Sequence, residues 1–104
     1  MTVVAFVPDL MDRSRLGGVV DSFAPTAADL LVAARGPADV AVVDLGREGA
    51  LEVVATLAEA GVRVVAFGSH VDRGLLDDAL AAGCASVLPR SRFFADPGTA
   101  IASV

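Results

Sequence analysis

Residues 38–49 read ADVAVVDLGREG, and this stretch decides the fold. Val40, Ala41, Val42 and Val43 follow one another without a polar residue between them. A strand with one wet face alternates apolar and polar residues, whereas a strand covered on both faces stays apolar throughout. The run therefore reads as a central strand of a parallel sheet. It ends on Asp44, and nothing in the packing of an apolar strand asks for a charge there.

Three more runs share this character: residues 2–7 (TVVAFV), 62–67 (VRVVAF) and 85–88 (ASVL), beside the 39–45 run that contains Asp44. A weaker one, 19–23 (VVDSF), is interrupted by Asp21 and Ser22 and reads as an edge strand. Helical signals lie between the runs. Asp9 can cap a short helix over residues 9–16, cut off by Gly17-Gly18. Thr26 can cap AADLLVAAR, which stops at Gly36-Pro37. Residues 49–60 place Leu51, Val54, Ala55, Leu57 and Ala58 on one stripe before Gly61. Asp72 can cap RGLLDDALAA before Gly83, with Leu75, Leu76, Ala79 and Leu80 as its apolar face. Strands and helices alternate with short connections, which predicts one doubly wound α/β domain over residues 1–104. After the last strand, Pro97 and Gly98 leave room for only a stub of helix. The first and last helices of such a fold cover the same face. Two short ones would leave that face under-covered, which predicts a homodimer through it. Phe93-Phe94 folding back over the gap is the competing expectation.

Composition narrows the chemistry. The chain carries 13 acidic residues against 8 basic ones, for a net charge of −5. Every basic residue is Arg. Without Lys there is no Schiff base, P-loop lysine or lysine general base. Acid excess and scattered arginines exclude a nucleic-acid surface, which needs clustered positive charge. Cys84 is the single Cys and His70 the single His, so neither a disulfide nor a thiolate metal cage can form within the chain. Cys84 reads as a small buried hydrophobe. No basic leader opens the sequence and no run is long enough to span a membrane, so a cytoplasmic protein is expected.

In an open parallel sheet, ligands gather at the carboxyl ends of the strands. Those ends supply Pro8-Asp9, Asp44, Gly68-Ser69-His70 and Pro89-Arg90-Ser91. Asp44 can equally cap its own turn, and Asp9 its helix. Arg90 reads as an ion-pair partner of Asp44 or Asp9. His70 reads as an exposed loop residue. Arg13, Arg15, Arg90 and Arg92 with Phe93-Phe94 are candidates for a partner-binding rim; each alone reads as a solvated edge.

ADVAVVDLGREG, VRVVAFGSHVD and LLDDALAAGCASVLPRS together resemble the receiver domain of two-component response regulators, over residues 2–94. The resemblance implies a flavodoxin-like five-stranded parallel sheet in the order 2-1-3-4-5. It makes Asp44 the phosphoacceptor position, and Asp9, Asp44 and the Gly46 carbonyl the metal-side positions for Mg2+. It makes Gly68, Ser69 and Arg90 the switch and charge-sensing positions. The departures are specific. Receivers carry two adjacent acids where this chain has Pro8-Asp9. The switch hydroxyl reads Gly68, with Ser69 one place later. The family Lys reads Arg90, the Pro after it Ser91, and the aromatic switch residue Val87.

A phosphoryl transfer to Asp44 would need charge neutralised by Mg2+ and a cation. Losing one acid weakens the metal site, and Arg does not replace Lys by default. The expectation is therefore a non-enzymatic, stand-alone receiver-like module without an output domain. It acts through a partner protein, a histidine kinase or another signalling protein, with no cofactor. The alternative is a single-domain response regulator phosphorylated on Asp44 with Mg2+. A flavin-binding reading fails for want of a phosphate loop and of Trp or Tyr to stack a ring. A Ser69–His70 hydrolase fails because nucleophile and base normally come from different elements.

Overall fold

Strand β3 (Val40–Asp44) lies at the centre of a five-stranded parallel sheet, paired on one side with β1 (Val3–Phe6) and on the other with β4 (Arg63–Gly68). The computed structural model describes residues 1–36 and 38–104. The outer strands are β2 (Ser22–Phe23) and β5 (Ser86–Pro89), giving the order β2-β1-β3-β4-β5. The helices are α1 (Leu10–Leu16), α2 (Ala27–Ala34), α3 (Ala50–Glu59), α4 (Arg73–Ala81), α5 (Arg90–Ala95) and α6 (Pro97–Ala102). The order expected from the family resemblance is the order observed.

Unbroken apolar strands are explained by two cores. Val40 and Val42, with Val3, Ala5, Val7, Val65 and Phe67, face α1, α5 and α6. Ala41 and Val43, with Val4, Phe6, Val64 and Ala66, face α2, α3 and α4. Successive strand residues point to opposite faces, so coverage of both leaves no position for a polar side chain. Only at its carboxyl end does β3 escape this constraint, and there it carries Asp44.

The capping signals hold. Asp9 accepts from the Asp12 N–H at 3.0 Å, Thr26 from the Asp29 N–H at 3.1 Å and Asp72 from the Leu75 N–H at 3.2 Å. Each satisfies a donor that the first helical turn leaves open. The C-cap of α2 is Arg35; of the stop signal Gly36-Pro37, Pro37 lies outside the described residues. The α3 stripe is displaced from expectation: Ala50, Val53, Val54 and Leu57 are the buried set, while Leu51 is half-buried. On α4, Ala79 is buried and Leu80 is exposed, because this helix leans on the sheet edge through Leu75, Leu76 and Ala79. The edge strand is shorter than the 19–23 run: Val20 turns into the core and only Ser22 and Phe23 pair with β1.

One expectation is overturned. The face over α1 is not under-covered. The chain after β5 forms two short helices instead of a stub, and they fold back onto the sheet. Phe93 is fully buried, and Phe94 and Ile101 nearly so. Phe67, Phe93 and Phe94 pack as a trio with ring centroids 4.8–5.0 Å apart. Two large rings supply the area that a longer helix would otherwise bring. The ground for a homodimer through that face is therefore gone.

Candidate functional site at the carboxyl edge of the sheet

Strand order reverses between β1 and β3, so the turns that follow them flank the crevice where open sheets bind ligands. The β3 turn holds Asp44, which is buried. The Gly46 N–H donates to its Oδ1 at 3.0 Å, and Arg47 Nε donates to its Oδ2 at 3.4 Å. Gly46 has room for this because a Cβ there would come within 3.3 Å of Oδ1. Asp44 thus closes its own turn and meets, at the longer distance, a partly exposed arginine three places on. Arg47 was not singled out by sequence; the (i, i+3) acid–base spacing across a Gly turn was the available signal.

Asp9, after β1, is exposed and committed to capping α1. The Asp12 N–H it accepts holds its carboxyl below the ordinary range, helped by the Met11 N–H and the charges of Arg47 and Arg90, against a smaller opposing effect of burial. Arg90, the first residue of α5, does not pair with Asp44 or Asp9 as expected. Its NH2 donates to Asp12 Oδ1 at 2.8 Å, across 78 residues of sequence. Asp12 lies one turn into α1 and is one of only two buried charged residues among the described residues, with Asp44. That hydrogen bond raises the Arg90 pKa, with further contributions from Asp12, Asp44 and Asp9 as charges. The guanidinium lies 5.4 Å from the Phe67 ring centroid and 5.1 Å from that of Phe94. The physical reason for the changed partner is this aromatic shelf, which holds Arg90 on the α1 side of the sheet.

At the end of β4, Gly68 is buried under α4. A Cβ added there would meet Leu76 Cδ2 at 3.2 Å and Leu45 Cβ at 3.5 Å. Leucine fills the space beside the position of the absent hydroxyl. Ser69 is exposed, and its Oγ accepts from the Val71 N–H at 3.4 Å. His70 is exposed beside it, and no hydrogen bond joins the two among the described residues. Val87 packs against the core under α2, α3 and α4. Cys84 is buried, and burial pushes its thiol up to about 11.

The donor set does not suit a resident Mg2+. Both oxygens of Asp44 already accept hydrogen bonds, one from a cation, and one oxygen of exposed Asp9 caps its helix. Pro8 stands where a second acid would add charge. No group of three or more His, Cys, Asp or Glu side chains is gathered to hold a metal among the described residues. Mg2+ wants carboxylate oxygens it can share with water, in near-octahedral geometry. Here guanidinium groups supply the positive charge instead.

The fold is that of receiver domains. It superposes on the signal receiver domain of NarL from Mycobacterium tuberculosis with a TM-score of 0.79 at 21% identity, covering 95% of this chain and 90% of that one. A response regulator from Thermotoga maritima gives 0.71 at 16% identity, covering 97% of each chain. A Burkholderia pseudomallei response regulator, whose structure holds a phosphorylated aspartic acid and a calcium ion, gives 0.73 at 15%, covering 96% of this chain and 65% of that one. No protein-family model matches the sequence, and no curated protein matches it.

Proposed function

We propose that this chain is a receiver-like signalling module that works by contact with a partner protein and without a phosphorylation switch. The observation that carries this reading is the disposition of the two arginines. Arg47 stands 3.4 Å from Asp44 Oδ2 within the same turn, and Arg90, at the position of the family lysine, is bonded to Asp12. A phosphoryl group on Asp44 would have to displace the first and would find the second engaged elsewhere. The leucines beside Gly68 add to this, since no hydroxyl stands there to follow a phosphoryl group. The module has no catalytic residue of its own. Its partner is another signalling protein of the cytoplasm, and no helix among the described residues is long and apolar enough to cross a membrane.

The alternative keeps Asp44 as a phosphoacceptor served by a histidine kinase and Mg2+. It is favoured by the placement of a buried aspartate at the end of β3, at the crevice. Incubation with Mg2+ and acetyl phosphate, followed by intact-mass measurement, separates the two. The expected result is no added phosphoryl group. A phosphoryl adduct that disappears in Asp44→Asn establishes the alternative.

A further inference from the structure

We propose that the cleft between α1 and α5 binds a carboxylate side chain of an acidic partner segment. The chain as a whole is acidic, at −5, yet this cleft is lined by Arg15, Arg90, Ser91 and Phe94. It is an open cleft of about 240 Å3. Two guanidinium groups converge on one ring: that of Arg15 is 4.4 Å and that of Arg90 5.1 Å from the Phe94 centroid. Arg15 is exposed and has no ion-pair or hydrogen-bond partner for its side chain among the described residues. Arg90 spends one N–H on Asp12 and keeps the rest of its donor fork. Stacking on a buried ring restricts both side chains before a ligand arrives, which lowers the entropy lost on binding.

Charge decides the ligand class. At the cleft itself Arg15 and Arg90 contribute two positive charges against one negative on Asp12, and with Asp9 and the Arg47–Asp44 pair close by the positive surplus is at most a single charge. One carboxylate balances it, whereas a phosphate dianion overshoots and would lie close to buried Asp12. The Ser91 hydroxyl adds a neutral donor at the rim. An acidic partner meets repulsion from the rest of the chain, so this locus also fixes its orientation. The assignment deepens the contact function proposed above and rests on it.

The test is a titration of the protein with an acetylated, amidated glutamate-rich peptide, followed through the arginine Nε–H resonances. A glutamine-rich peptide and inorganic phosphate serve as controls. The expected result is saturable movement of the Arg15 and Arg90 signals with the glutamate peptide and none with glutamine. Arg15→Ala is expected to weaken binding by about tenfold, the scale of a hydrogen bond to a charged group, while its dispersed amide spectrum confirms the fold. Absence of saturable movement, unchanged affinity in Arg15→Ala, or tighter binding of phosphate than of the peptide each overturns the proposal. No phosphodonor is present, so an Asp44 adduct in the earlier experiment would defeat the phosphorylation-independent reading and leave this titration to decide the cleft.

Discussion

Arg90 shows how one residue type acquires its role from its neighbours. In the sequence it stands where a receiver keeps a lysine, and its partner was expected among Asp44 and Asp9. The aromatic shelf of Phe67 and Phe94 holds it over α1, where Asp12 waits nearly buried. The two ends of this ion pair are not equivalent. The Arg90 side chain is 43% exposed and the Asp12 side chain 7%. Removing the aspartate charge lets Arg90 turn to water, whereas removing Arg90 strands a carboxylate in the core. Arg90→Met is therefore expected to cost about 1–3 kcal/mol, the desolvation penalty of an unpaired buried polar group. Asp12→Asn is expected to cost less, because Arg90 can take its charge to water and the amide keeps an oxygen that can accept from it. Urea denaturation of both variants checks this; equal losses would show that the pair is not asymmetric.

At the scale of elements, the ends of helices were more legible than their faces. Asp9, Thr26 and Asp72 cap as read, because a cap depends on neighbours within three residues. The buried faces of α3 and α4 depend on how each helix is rotated against the sheet, and there Val53 gained a place and Leu80 lost one. The α4 terminus is fixed by Gly83, whose φ is +110° and whose added Cβ would lie 2.8 Å from Ala58 Cβ on α3. Gly83→Ala is expected to destabilise by about 1–3 kcal/mol, through strain at an unfavourable φ and the clash together. Gly74, within α4, has open space at its Cβ position. Gly74→Ala is expected to stabilise by about 0.5 kcal/mol through lower unfolded-state entropy. Thermal denaturation reads both, since about 1 kcal/mol moves the midpoint by roughly 4–8 °C in a domain of this size. A downward shift for Gly74 or none for Gly83 would contradict the local argument.

For the whole molecule, the segment after β5 completes what the first helix leaves open. A seven-residue α1 and two six-residue helices cover one face because Phe93 and Phe94 add their rings to it. Phe93→Ala is expected to cost about 3–5 kcal/mol, as other buried Phe truncations do. That is a large share of the 5–15 kcal/mol or so that holds a domain together. The exposed Val32→Ala, on α2, should stay within about 0.5 kcal/mol. Urea midpoints compare the two, and a mild Phe93→Ala would mean the trio does not carry that face. By itself the sequence determined the strands, their burial on two faces, the alternation with helices and the caps, because each rests on local pattern and period. Only the tertiary structure decided that Arg90 meets Asp12, that Arg47 meets Asp44, that leucines occupy the space at Gly68, and that two arginines share the ring of Phe94. Those outcomes turn on residues distant in sequence, or on side-chain directions within a turn, and an ångström of displacement there changes the partner while leaving every local pattern intact.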